Sequence, residues 1–312
     1  MESFEFESGA VLENVSVEFI TRGVPRYDDE GNITNAVVYC PTLKGAYSFL
    51  DLNNESIKKY DVIKNYFYIK VVSLGTPGSC SPSSTELRYD FPLYTFKDRI
   101  NFIKQFLHEK FNMDKVLGVV GEGFGGFEAY TWACEYPDDM EFIVVLNSSF
   151  KTHGYCYVME KCIEAILESS EDIYSKVYST SLSMMSIAIF RLMFVTYFPD
   201  KVIENLTIDE IDVLMDNYVD ESLFMDIHDI YHRNACNLNF DVKDKLSNIK
   251  AKSFILGNRD LLLFNPEKDA VPLENLIENA TVVLFDSKNE DYYRDGDYTE
   301  VIDKVVLFLE QF

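Results

Sequence analysis

The spacing most suggestive of chemistry lies in Gly121-Glu122-Gly123-Phe124-Gly125-Gly126. It follows the apolar run Val116 to Gly121 and opens an amphipathic stretch from Phe124 to Tyr136. Two glycines flanking a central position at a strand-to-helix junction form the G-x-S-x-G arrangement, whose sharp turn lifts a serine hydroxyl above the end of a sheet. Gly121 and Gly125 match the flanks, but the central position is Gly123, which offers no nucleophile. Attack on an acyl carbon through a covalent intermediate needs an activated hydroxyl or thiol with a base in hydrogen-bond reach. Ser79, Cys80 and Ser81 in a loop expected at the pocket rim, Cys134 in the next helix, and Ser148 and Ser149 at a strand end are substitutes by type, yet none has an elbow-like context. The histidines are His108, His153, His228 and His232. His108 lies in an amphipathic helix and is expected in solvent. His228 and His232 are one helical turn apart with Asp226 and Asp229 nearby. With no third ligand in view they read as solvated helix polar groups rather than a metal site, and no metal or cofactor is expected.

The surroundings of the elbow carry a more specific pattern. Phe91-Pro92-Leu93-Tyr94-Thr95-Phe96-Lys97-Asp98 resembles the FPxxTxxD segment of homoserine O-acetyltransferases. Gly121 to Phe127, GEGFGGF, resembles their GGSMGGM elbow, and Trp132-Ala133 with Tyr136-Pro137-Asp138 is similar to the WAxxYPD that follows. Cys40-Pro41-Thr42-Leu43-Lys44-Gly45 is similar to their CHALTG loop. Leu74-Gly75 with Gly78-Ser79-Cys80 resembles LLGSC, at a different spacing. Near the C-terminus, Gly257-Asn258-Arg259-Asp260 with Phe264 and Pro266 resembles GxxSDxLFP, and Asn289-Glu290-Asp291 falls where that family has Gly-His-Asp. The resemblance covers most of residues 35–150 and 240–312 and is weak between them. It implies an α/β-hydrolase fold, a mostly parallel sheet flanked by helices with a helical lid. Carried over residue by residue, it places the nucleophile at Gly123, the acid at Asp260 and the base at Glu290, with the backbone N–H groups of Leu43 and Phe124 as oxyanion donors. Only Asp260 keeps its chemistry. A glutamate cannot stand in for a neutral imidazole held in one tautomer. The two positions argue against an active acyltransferase. They point to a catalytically degenerate member that binds a small-molecule ligand or a protein partner without acyl transfer. The alternative is an acyltransferase or hydrolase with rearranged catalytic residues. The resemblance also implies a homodimer formed through the lid.

The elements that must position these residues follow from the hydrophobic pattern. Short apolar runs alternate with amphipathic segments, as in βα units around a parallel sheet. Strands are expected at Ala36 to Cys40, Tyr66 to Leu74, Val116 to Gly121, Phe142 to Asn147, Ser253 to Gly257 and Thr281 to Phe285, and helices at Phe96 to Phe111, Phe124 to Tyr136 and Glu300 to Leu309. Residues 150–245 break the alternation with helical periods alone, so the expected division is a core of 1–149 and 246–312 with a lid insertion of 150–245. The apolar stretch Met184 to Phe198 suits either lid packing or a dimer surface, since an apolar helix must bury its face against something.

Composition bounds the partners. The 312 residues are 47% hydrophobic, ample for one large core, and 28 Lys and Arg stand against 52 Asp and Glu for a formal charge of -24. So negative a surface repels phosphate backbones and anionic lipid headgroups, so neither nucleic acid nor a membrane is expected as partner. The six cysteines form no CxxC pair and, in a chain of this length, are expected to be reduced thiols of a cytoplasmic protein. The acidic N-terminus, MESFEFESGAVLENV, lacks the apolar core of a signal peptide. The most apolar stretch, Ile187 to Phe198, is interrupted by Arg191 and is too short to span a bilayer.

Overall fold

A computed structural model describes residues 1–41, 62–175, 179–198, 200–220, 225–286 and 299–312. Nine strands are placed among them: β1 (Ser3–Glu5), β2 (Val11–Glu13), β3 (Phe19–Arg22), β4 (Ala36–Cys40), β5 (Phe67–Val71), β6 (Gly118–Glu122), β7 (Phe142–Leu146), β8 (Lys252–Asn258) and β9 (Ala280–Phe285). The helices are α1 (Phe96–Phe111), α2 (Phe124–Glu135), α3 (Gly154–Leu167), α4 (Thr180–Tyr197), α5 (Asp200–Glu204), α6 (Ile208–Asp220), α7 (Ile227–Leu238), α8 (Pro266–Asp269), α9 (Leu273–Leu276) and α10 (Thr299–Leu309). Strands β1 and β2 form a separate antiparallel hairpin. The main sheet runs β3-β5-β4-β6-β7-β8-β9, parallel throughout except for β3, which pairs antiparallel with β5 at the edge.

The central strands read as unbroken apolar runs because both faces of the sheet are covered. Every residue of AVVYC in β4 and of FIVVL in β7 is buried. On one face α1, α2 and the lid helices pack around Trp132, Tyr130, Phe102 and Phe127. Phe127 stacks on Phe240 with ring centroids 3.9 Å apart, worth about 0.5–1.5 kcal/mol beyond the area buried. On the other face α10 covers the sheet, with Phe308 stacked on Phe254 at 4.9 Å and the Tyr66 hydroxyl donating to the Leu309 carbonyl at 2.7 Å. Helix α1 begins in a capping box, Thr95 accepting from the Asp98 N–H and Asp98 from the Thr95 N–H, and it ends on Asn112 in the left-handed region. Asp98 also accepts the Glu7 N–H at 2.7 Å, fastening the N-terminal hairpin to the same cap.

Where expectation and structure differ, pairing explains it. The run from Tyr66 to Leu74 yields only β5, because β3 pairs no residue beyond Val71 and β4 none beyond Lys70. The hairpin β1–β2 and the edge strand β3 were not expected; each is three or four residues long, and β3 is mostly exposed.

Between β7 and β8 the described chain is helical apart from one bridge. That bridge is the neck of the lid. Lys151 and Asp241 pair antiparallel, the Val242 N–H donates to the Phe150 carbonyl at 3.0 Å, and the Thr152 N–H donates to Phe240 at 2.9 Å. Helix α4 buries Met185, Ile189, Phe190, Met193 and Phe194 inside the lid and leaves Met184 and Val195 outside.

The two histidines of α7 correct the sequence reading. His228 and His232 are buried, not solvated. The His232 ring nitrogens face the carbonyls of Phe91 at 2.8 Å and His228 at 3.0 Å, and His228 Nε2 faces the Ile173 carbonyl at 3.1 Å. Burial holds the His232 imidazole below its usual value. Beside them Ser83 donates its N–H at 2.9 Å and its hydroxyl at 2.6 Å to the buried Asp229. These groups pin α7 to the loop between β5 and α1 by satisfying buried backbone polar groups. Among the described residues no cluster of three or more His, Cys, Asp or Glu is placed to hold a metal, and no helix is long and apolar enough to cross a membrane.

Candidate active site

Strand β6 passes into α2 through a turn centred on Gly123, at φ 53° and ψ -121°. That backbone conformation is essentially reserved for glycine, and an L side chain there is strained. The turn is fixed from both sides: the Gly123 N–H donates to the Leu146 carbonyl of β7 at 3.0 Å, and the Gly126 N–H donates to the Gly123 carbonyl at 3.0 Å. A Cβ on Gly121 would lie 2.5 Å from the Gly125 carbonyl oxygen, and one on Gly125 would overlap the Cys40 carbonyl oxygen. The glycines therefore let the first turn of α2 press onto the ends of β4 and β6. The geometry is that of a nucleophile elbow, and the residue at its apex has no side chain.

Phe124 is the first residue of α2, where N–H groups have no acceptor within their own helix. Its ring is buried against Phe127 at 5.2 Å and Phe264 at 5.7 Å. Leu43, the other expected oxyanion donor, and Glu290, at the base position, lie outside the described residues.

Asp260 stands on the turn after β8, at the same edge of the sheet as Gly123. The register is explicit: Glu122 pairs with Leu146, and Leu146 pairs with Leu256. Asn147 extends β7 by donating its N–H to the Leu256 carbonyl at 2.8 Å, and its Oδ1 accepts the Asn258 N–H at 2.9 Å. Asn258 Oδ1 then accepts the Asp260 N–H at 2.9 Å. Two asparagine side chains thus shape the turn that carries Asp260, which is half-buried there.

The structure brings together a second set of residues that sequence reasoning treated separately. Ser149 donates to Asp269 Oδ1 at 2.7 Å, and His153 Nε2 meets the same oxygen. Burial raises the Asp269 carboxyl above its usual range, against the hydrogen bonds from Ser149 and His153. A serine, an aspartate and a histidine meet here, but in an order unsuited to catalysis. Serine and histidine both point at the acid, so the serine faces no base. The set ties the root of α3 to β7 and α8. Ser148 is buried against Gly126, and Ser79 and Ser81 are buried rather than at a rim. Burial pushes the thiols of Cys134 and Cys236 up to about 12, the reverse of an activated thiolate.

Behind the elbow, the partly buried Arg99 of α1 and the buried Glu128 of α2 form an ion pair, Nε to Oε1 at 2.9 Å. Removing one partner of such a pair costs about 3–5 kcal/mol, because the other charge is left uncompensated. Neither residue was singled out in the sequence, where each falls in an ordinary helical period.

The sheet order, the elbow and the helical insertion define an α/β-hydrolase. No family model matches the chain. It is 36% identical over 305 residues to a probable acyltransferase of Methanothermobacter thermautotrophicus, an alignment covering 97% of this chain and 94% of the relative. It is 23% identical over 274 residues to a homoserine O-succinyltransferase of Psychrobacter arcticus, covering 78% of this chain and 60% of that one. Among solved structures, homoserine O-acetyltransferase from Bacillus anthracis superposes with a TM-score of 0.78 at 18% identity, covering 99% of this chain and 95% of that one. The chain belongs to the homoserine O-acetyltransferase-like acyltransferase family of α/β-hydrolases.

A testable consequence follows from the backbone at the apex. Gly123→Ala should lower stability by about 1–3 kcal/mol, the usual cost of a non-glycine residue in so sparsely populated a region. Chemical denaturation of the two proteins measures it, and an unchanged midpoint would mean that the turn does not hold this conformation in solution.

Proposed function

We propose that this protein is a catalytically degenerate member of its family, which binds a small ligand or a protein partner at the elbow cleft without transferring an acyl group. The observation that carries the reading is Gly123, a glycine at the apex of an otherwise complete elbow. An acyl-enzyme needs an oxygen or sulfur nucleophile at that point, and a base to accept its proton. Backbone donors such as the Phe124 N–H do not depend on side chains, so a polarising pocket for a carbonyl or carboxylate oxygen is compatible with the loss of the nucleophile. Against rearranged catalysis stands the order of contacts around Asp269, where Ser149 faces the acid and not the imidazole.

The expected outcome is no acetyl transfer from acetyl-CoA to homoserine. Gly123→Ser alone should remain inactive, because a serine without a base stays protonated at neutral pH. The pair Gly123→Ser with Glu290→His is the variant that restores both chemical roles. Steady-state assays of the three proteins decide the matter. Wild-type turnover abolished by changing one pocket residue, or substantial activity from the serine change alone, would overturn the reading.

The outer face of the lid supports self-association. Tyr155 and Val158 of α3 and Met184 and Val195 of α4 are exposed apolar side chains on neighbouring helices. Light scattering should give a dimer mass for the wild type and a monomer mass for Val158→Glu with Met184→Glu. A monomeric wild type, or an unaffected double variant, would remove this face from consideration.

A further inference from the structure

Strand β3 ends the main sheet and, among the described residues, pairs only on its β5 side. The Val72 N–H donates to the Glu18 carbonyl at 2.9 Å. The hydrogen-bonded positions of this antiparallel ladder therefore fall at Glu18, Ile20 and Arg22. The backbone groups of Phe19 and Thr21 face away from the sheet. An edge of this kind is a template for one more strand. It stops after Arg22, because the chain turns at Gly23 with φ 87°, where a Cβ would overlap the Tyr66 carbonyl oxygen. Ile20 is 58% exposed, and Val24, just past the strand, is 75% exposed.

Charge sets this edge apart from the rest of the molecule. The chain carries 28 Lys and Arg against 52 Asp and Glu. From Ser16 to Tyr27 the balance is reversed, with Arg22 and Arg26 against the single acid Glu18. The Glu18 carboxylate lies against Gly78. Neighbouring elements add further cations. Lys70 of β5 stands opposite Ile20, and Lys110 of α1 lies over the Phe19 ring at 5.6 Å. Arg26 donates to Asn65 Oδ1 at 2.8 Å, beside Lys64. Arg22, Arg26, Lys64 and Lys110 are exposed. The acids that follow belong to a separate turn, closed where Asp28 accepts from the Asn32 N–H at 2.8 Å.

We propose that β3 is a docking edge for an extended segment of a partner protein, one in which an apolar and an acidic residue stand two positions apart. The added strand takes up the outward backbone groups of Phe19 and Thr21. Ile20 and Arg22 share one face of the sheet, since side chains two apart along a strand point the same way. The apolar residue of the partner then lies opposite Ile20 and the acid opposite Arg22, the two kinds of cross-strand pair that stabilise a sheet. A second copy of this chain is the wrong occupant, because β3 against β3 would bring two cationic rims together. The charge that discourages self-pairing selects an acidic partner. The edge lies three strands from β6 in the sheet, so this inference stands apart from the elbow and its ligand.

The probe is a synthetic peptide of threonines, blocked at both ends, that carries one valine and, two positions on, one glutamate. Its control has lysine in place of the glutamate. Nitrogen-15 resonances of the full chain, titrated with the glutamate peptide, should shift first at the Phe19 and Thr21 amides. The lysine peptide should bind about fivefold more weakly. Arg22→Gln should erase the preference between the peptides, and Arg22→Glu should reverse it. The remaining amide resonances report whether each variant is folded. Equal binding of the two peptides to the wild type, shifts confined to other residues, or no shift at millimolar peptide would overturn the proposal. Concentration-dependent shifts of the same amides without peptide would assign the edge to a second copy of the chain and overturn it as well.

Discussion

The structure depends on how closely the first turn of α2 approaches the ends of β4 and β6. Gly125 lies against the Cys40 carbonyl and Gly121 against the Gly125 carbonyl, distances that no side chain permits. From that contact follow the position of the Gly123 apex, the direction of α2 and the burial of Tyr130, Trp132 and Phe127 beneath the lid. In an enzyme of this architecture the apex residue is strained so that its hydroxyl stands clear of the sheet. Here the strained position is occupied by the one residue that adopts it without cost. The close packing of α2 on the sheet is thus kept with a glycine at the apex and does not depend on a side chain there.

The lid is secured by polar rather than purely apolar contacts. The bridge between Lys151 and Asp241 closes its neck, the Ser149–Asp269–His153 set fixes the root of α3, and Asp229 and His232 fasten α7 to the loop before α1. Each buried group is costly alone and specific when paired, so the cluster fixes one arrangement of the helices more than it adds net stability. Glu160 of α3, held by Asn234 and Asn237 of α7, extends the same network into the centre of the lid. Burying this many charged groups demands that their partners stay in place, which ties the geometry of the lid to the integrity of α3 and α7.

Much of the core was legible in the sequence, because strands buried on both faces are continuous apolar runs. The expected β4 and α1 coincide with the observed elements, and the elbow was located by its glycines. The edge strand β3 escaped because FITR is short, mostly exposed and without a periodic signature. His228 and His232 were misread because their i, i+4 spacing with flanking aspartates is the pattern of a solvated helix face, and only tertiary placement reveals that Phe91 and Ile173 supply carbonyls to them. The Arg99–Glu128 pair and the meeting of Ser149, His153 and Asp269 join residues 29 or more apart or on different elements, beyond the reach of any local pattern. Of the candidate site, the positions of the Gly123 turn and of the turn that carries Asp260, each following a strand, were readable from motif and hydrophobic pattern. The asparagines that shape that turn, Asn147 and Asn258, carry no signal apart from their proximity to strand ends.

A degenerate elbow, as proposed above, forms no acyl-enzyme. Intact mass spectrometry of the wild-type protein incubated with an activated acetyl ester tests it directly. The expected result is no saturable, stoichiometric acetyl adduct on any hydroxyl or thiol. A single such adduct, mapped to one serine, threonine or cysteine at the elbow cleft and released by hydrolysis, would contradict it.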